Sequence, residues 1–197
     1  MKTLAAALGG LALLVLLAGM WAVGSYNGLV ARREGVGSAW AQVESQYQRR
    51  LDLVPNLVAT VKGSAKFEKE TLAAVVEARS RVGSVTVDKS VLNDPTAFRK
   101  FEEAQGALSS ALSRLMVVVE RYPDIKSTQA FRDLQVQLEG TENRIAVARM
   151  DFNAAAQDYN TAIKSFPGAL IAGPGGFKER PYFAAAPEAA QAPAVKF

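Results

Sequence analysis

The sequence predicts an all-α protein: an N-terminal transmembrane helix followed by an antiparallel, up-down-up-down four-helix bundle. Three observations carry this reading. No residue between Lys2 and Arg32 is charged. Further on, apolar residues recur at alternating spacings of three and four, which lays an apolar seam along each helix. No stretch shows convincingly the period of two that a strand requires.

The first element is a membrane anchor, residues 1–25. Its densest part, Leu4–Val23, reads LAAALGGLALLVLLAGMWAV, and a helix needs about 20 such residues to cross a bilayer core. Trp21 and Tyr26 stand at its C-terminal end, where amphipathic rings favour the membrane interface. The lipid bilayer is therefore an expected partner, contacted through residues 4–24. A cleaved signal peptide is the competing reading, with Ala22-Val23-Gly24 before Ser25 as a small-residue site. The length of the apolar run and its direct continuation into a helix favour the uncleaved, single-pass anchor in the cell (inner) membrane. Lys2 on one flank and Arg32, Arg33 and Glu34 on the other nearly tie under the positive-inside rule, so the side of the helical domain stays open.

Residues 26–166 form the helical-bundle domain. The first helix places Tyr26, Leu29, Arg33, Val36, Trp40, Val43, Tyr47 and Arg50 on one seam. Pro55 interrupts the continuing rhythm of Val54, Leu57 and Val61. One kinked helix from Tyr26 to about Val82 would be about 85 Å long, far longer than its partners. A chain reversal at Leu51–Pro55, with Pro55 opening the second helix, gives matched lengths and is the expectation adopted. Gly83–Asn93 reads as a loop. Asp94-Pro95 caps and opens the third helix, whose seam is Phe98, Phe101, Gln105, Leu108, Leu112, Leu115, Val119 and Tyr122. Pro123 ends it. Ser127 or Thr128 caps the fourth, whose seam runs from Phe131 through Leu134, Leu138, Thr141, Ile145, Ala148, Phe152, Ala155, Tyr159 and Ala162 to Phe166. Arg33, Arg50, Glu68 and Arg79 also fall on seams. Either they lie at the edges with their heads in water, or an inward Arg meets a carboxylate such as Glu142 or Asp151 and fixes helix register.

These motifs resemble the LemA family. The resemblance rests on Tyr26-Asn27, Trp40, Arg49 to Val58 and Val61-Lys62-Gly63, then on Glu142 to Arg149 with Phe152-Asn153 and Tyr159-Asn160. It continues through Phe166-Pro167-Gly168, Ile171-Ala172-Gly173, Gly176 to Glu179 and Pro181-Tyr182-Phe183. It covers about residues 1–183 and implies a bacterial, single-pass membrane protein with a helical-bundle domain. It brings no agreed activity, so no catalytic residue is carried over.

The tail is a separate segment. Residues 167–183 hold Leu170, Ile171, Phe177, Tyr182 and Phe183 and are expected to pack at the bundle base or the membrane interface. An up-down bundle ends its fourth helix near the bilayer. That would set Phe177, Tyr182 and Phe183, with Lys178 and Arg180, at the headgroups, and Val85, Val87, Val91 and Leu92 close by. Residues 184–197, AAAPEAAQAPAVKF, are low in complexity and expected to be disordered.

Composition narrows the function classes. The 197 residues include no Cys and no His, which removes disulfide scaffolds, zinc ribbons, cysteine nucleophiles and histidine relays. The net charge of +4 comes from 23 basic and 19 acidic residues. They are interleaved, as in Lys66-Phe67-Glu68-Lys69-Glu70, rather than gathered into a stripe for nucleic acid. Glu139 with Glu142, and Glu68 with Glu70 and Glu77, lack the Glu-x-x-His motif of a di-metal bundle. Gly173-Pro174-Gly175-Gly176 lacks the Lys-Ser/Thr of a phosphate loop. Ser113 or Ser127 beside a Lys is a pairing any helical protein offers. No catalytic, cofactor-binding or metal residue is nominated, and no cofactor, metal, nucleic acid or enzymatic activity is expected. The expected function is a structural or interaction (scaffold) module at the bacterial cell envelope, with a protein partner or with copies of itself. The alternative is a sensor or adaptor binding a small molecule or peptide between helices.

Overall fold

A computed structural model describes residues 2–63, 67–85 and 88–184. The described residues are helical almost throughout, with no strand among them. Helix α1 runs without a break from Lys2 to Lys62, about 90 Å at the usual rise. Helix α2, Lys69–Gly83, follows. A short 3-10 turn, Lys89–Asn93, leads into α3, Pro95–Val119. Helix α4 is a single turn, Pro123–Lys126, before the long α5, Gln129–Lys164. Helix α6, Gly168–Ala172, is a last short turn before an extended tail.

The expected reversal at Leu51–Pro55 is corrected: Pro55 lies inside α1. Its ring faces solvent while Val54 and Leu57 on either side are fully buried. A mid-helix proline leaves the carbonyl four residues back without its amide partner. Here that carbonyl is Leu51 O, and the Arg79 guanidinium of α2 donates to it at 3.4 Å. The chain reverses instead after Gly63, so α1 beyond the anchor matches α5 in length. The length mismatch that argued for the split disappears.

Helices α1 and α5 are antiparallel and make the most extensive contact in the molecule. Arg32 meets Asp158, Trp40 meets Phe152 and Arg50 meets Glu142. Helix α2 returns antiparallel to α1 and packs on α3. Phe67 against Tyr122 closes the end far from the anchor. Helices α1, α2, α3 and α5 thus alternate in direction. The caps are local and legible: Asp94 accepts from the Thr96 amide at 2.8 Å, and Thr128 from the Phe131 amide at 3.3 Å.

The core comes in two halves. One holds Leu53, Val54, Leu57, Val75, Leu108, Leu115 and Phe131 at the far end. The other surrounds Trp40 with Phe98, Phe101, Phe152 and Phe183 nearer the anchor.

Candidate functional site

Between the two halves lies a polar layer. Arg50 of α1 is 1% exposed, and Gln105 of α3 and Thr141 of α5 are buried beside it. Seam periodicity places all three inward: each occupies a position where a hydrophobic residue would keep the rhythm. The guanidinium is held from two helices. One amino group donates to Ser109 Oγ and to Glu142 Oε1, each at 2.8 Å. The other donates to the Gln105 side chain and, at 3.2 Å, to the Gln105 backbone carbonyl. The Tyr47 ring lies 5.0 Å from the guanidinium carbon, and burial pushes the Tyr47 phenol above its ordinary 10.0. Arg50 Nε has no hydrogen-bond partner among the described residues. Of the seam charges, Arg50 is therefore the inward one, paired with Glu142. Asp151 is exposed, Arg33 and Glu68 are half-buried and Arg79 is exposed.

Beside this layer a groove of about 520 Å³ opens between α1, α3 and α5. Glu102 and Arg149 stand in it, 3.6 Å apart. Burial raises the Glu102 carboxyl above its ordinary value, against the Ala184 amide and Arg149, which pull it down.

The tail closes one side of the molecule. The headgroup position expected for Phe177 and Phe183 is corrected: they are 7% and 6% exposed and belong to the core, whereas Tyr182 and Lys178 stay exposed and Arg180 is half-buried. From Phe177 the chain runs extended along α5, away from the anchor. Phe177 meets the Tyr26 ring at 5.3 Å, and Phe183 stacks 6.0 Å from Trp40. Two asparagines of α5 hold it. Asn160 donates to Arg180 O and accepts from Arg180 N, both at 2.9 Å. Asn153 does the same to Phe183, at 3.0 and 2.9 Å. The spacing explains the fit. Seven helical residues advance about 10.5 Å, and three extended residues about 10 Å. Arg180 in turn donates to Leu92 O at 3.1 Å and to the Asn93 side chain, which ties the tail to the turn before α3. Seam reading missed Asn153 and Asn160, although the signal is present as two aromatic-Asn pairs one heptad apart, Phe152-Asn153 and Tyr159-Asn160. Val91 and Leu92 are buried in the same core half, Val85 packs against it, and Val87 lies outside the described residues, as do residues 185–197 of the low-complexity end.

At the base of the bundle Phe166, expected on the seam, is 75% exposed. Its ring stands 5.5 Å from Trp21. Among the described residues no cluster of three acidic side chains could hold a metal.

The sequence profile of the LemA family matches residues 39–197. Magnetosome protein MamQ 2 of Paramagnetospirillum magneticum strain AMB-1 is 31% identical over 174 residues, covering 80% of this chain and 64% of the relative. Magnetosome protein MamQ of Magnetospirillum gryphiswaldense is 29% identical over 177 residues, with 80% and 64% covered. Protein LemA of Metamycoplasma hominis is 24% identical over 134 residues, covering 68% of this chain and 57% of that one. The chain thus spans a little under two thirds of the length of the curated relatives it matches.

Proposed function

The chain belongs to the LemA family, and from that premise we propose that it is a membrane-anchored, non-catalytic interaction module of the bacterial cell envelope. The observation that carries this is the continuity of α1. Its most apolar 18-residue window has mean hydropathy 2.0 and no buried residue. The same helix then supplies Val36, Trp40, Val43 and Val54 to the core. A single rigid rod therefore links the apolar span to the bundle and holds the bundle at a set distance from the bilayer. The polar layer supports a structural role, because both amino groups of Arg50 are taken up by groups of the same chain. Relatives named for the magnetosome are named for an assembly rather than a reaction.

The test is cross-linking in intact cells, followed by mass spectrometry and by carbonate washing of membranes. Retention of the chain in washed membranes, with cross-links to itself or to one recurrent envelope protein, is the expected result. Recovery of a soluble form beginning near Ser25 would remove the anchor from the proposal. A second reading, a sensor of small molecules or peptides, rests on the groove beside Arg50 and Arg149. A ligand found there that raises the melting temperature in proportion to its concentration would favour it.

A further inference from the structure

We propose that the elbow after α5, residues 165–176, is a second membrane contact, lying in the lipid interface with Phe166 and Leu170 immersed. This deepens the proposed function and rests on its reading of α1 as the membrane span.

Three observations converge on a lipid surface as the occupant. The first is height. Phe166 packs on Trp21, the ring near the end of the dense apolar run Leu4–Val23. Trp21 is 17 residues beyond Leu4, about 26 Å along the helix, against a hydrocarbon core of about 30 Å. The two rings therefore share the boundary between acyl chains and headgroups. The second is composition. Between Lys164 and Lys178 no residue is charged, just as none is between Lys2 and Arg32. The elbow is an uncharged loop flanked by lysines, and such stems reach back to the headgroups while their neighbours stay in lipid. The third is exposure. Phe166 and Leu170 are 75% and 64% exposed, whereas Ile171 and Ala172 pack inward on the core. The outward face of the elbow is continuous with the outward face of the span.

The elbow is also firmly seated. A Cβ at Gly168 would stand 2.0 Å from Ala162 O and 3.4 Å from Leu29 Cδ2, so glycine lets this turn press directly on α5 and α1. Phe166 and Leu170 are thus presented by a fixed turn, and two separated contacts on one rigid body set its tilt. A span alone leaves the bundle free to tilt about the point where α1 leaves the bilayer, whereas a span with an offset elbow does not.

The chain contains no cysteine, so single cysteines at positions 14, 150, 166 and 170 can each carry an environment-sensitive fluorophore in the full-length protein. Leu14, Met150, Phe166 and Leu170 are all well exposed, so labelling leaves the core untouched. The proteins are reconstituted in phosphatidylcholine–phosphatidylglycerol vesicles with nitroxide lipids labelled near the headgroup or deep in the acyl chain. The shallow nitroxide should quench positions 166 and 170 roughly threefold or more above position 150, and the deep nitroxide should quench position 14, as expected for interfacial and core residues. If position 14 is quenched and 166 and 170 match 150, the elbow proposal is wrong and the span stands. If position 14 is unquenched as well, the membrane reading itself falls and the elbow proposal with it. Quenching at 166 and 170 without quenching at 14 would remove the span and overturn the proposal of a second contact built on it.

Discussion

A single arginine divides the core into halves, and its surroundings say what it is for. Removing one partner of a buried ion pair costs about 3–5 kcal/mol because the other charge is left uncompensated, and only replacing both partners by well-packed apolar groups is often neutral. Both Arg50→Ala and Arg50→Met leave Glu142 and Gln105 without the guanidinium, but only alanine also leaves a cavity. Arg50→Ala should therefore lower stability by about 3–5 kcal/mol and Arg50→Met by less, in urea melts followed by circular dichroism. Equal losses for the two would mean that the hydrogen bonds, rather than the filled volume, dominate at this position. The neighbouring phenol gives a pH signature. Burial raises both Tyr47 and Tyr159 above the ordinary 10.0. The folded state thus holds these protons more tightly than the unfolded chain does. Their stability contribution is complete below pH 10.0 and is lost as pH rises through the raised folded values. Thermal melts should fall above that pH, and Tyr47→Phe should flatten the fall. A variant that loses stability in parallel with the parent would assign the alkaline transition to other groups.

At the scale of elements, two devices hold the fold in register: the rescue of a proline-broken turn and the clamp on the tail. Proline in a helix interior costs about 3 kcal/mol relative to alanine, and Arg79 recovers only part of that by bonding Leu51 O. Pro55→Ala should raise stability by about 1–3 kcal/mol. A drop instead would indicate that the proline, with the Arg79 bond to Leu51 O, is needed for packing against α2. Asn160→Ala removes a donor and an acceptor from a site that is 3% exposed, at about 1–3 kcal/mol for the backbone groups left unmet. Limited trypsin digestion should then cut at Lys178 well before the bundle is attacked, the Arg180–Pro181 bond being resistant to trypsin. The same two devices mark what was legible in the sequence. The seams of α3 and of α5 as far as Phe152 can be read directly, because every inward position there faces another helix. Beyond Phe152 the buried face moves from Ala155 and Ala162 to Ala156, Asn160 and Ile163. A straight helix drifts relative to a strict heptad, and at Asn160 the partner is the tail rather than a helix. Pro55 misleads for a related reason: local propensity marks a break, and the bond that repairs it comes from Arg79, 28 positions beyond the Leu51 carbonyl it meets.

For the whole molecule the question is where the folded unit ends. A seam analysis bounds the bundle at residue 166, yet Phe183 contacts Trp40, Phe98, Phe101 and Phe152, and Arg149 stands over its ring at 4.6 Å. Helix α3 begins only at Pro95, beside Trp40, whereas α1 and α5 continue past it toward the anchor. Over that stretch the two long helices lack a full third partner, and the tail takes its place. Burying Phe177 and Phe183 contributes about 3–6 kcal/mol by transfer alone, a large share of the about 5–15 kcal/mol that holds an ordinary domain together. A chain of residues 26–166 should accordingly melt well below one of residues 26–184 and bind a hydrophobic dye at Trp40 and Phe152. Supplying residues 173–184 as a separate peptide should restore part of the difference in proportion to its concentration, because the asparagine clamp binds its backbone and Trp40, Phe98, Phe101 and Phe152 surround the Phe183 ring. If the two chains unfold within about 0.5 kcal/mol of one another, the tail only rests on a bundle that is complete without it.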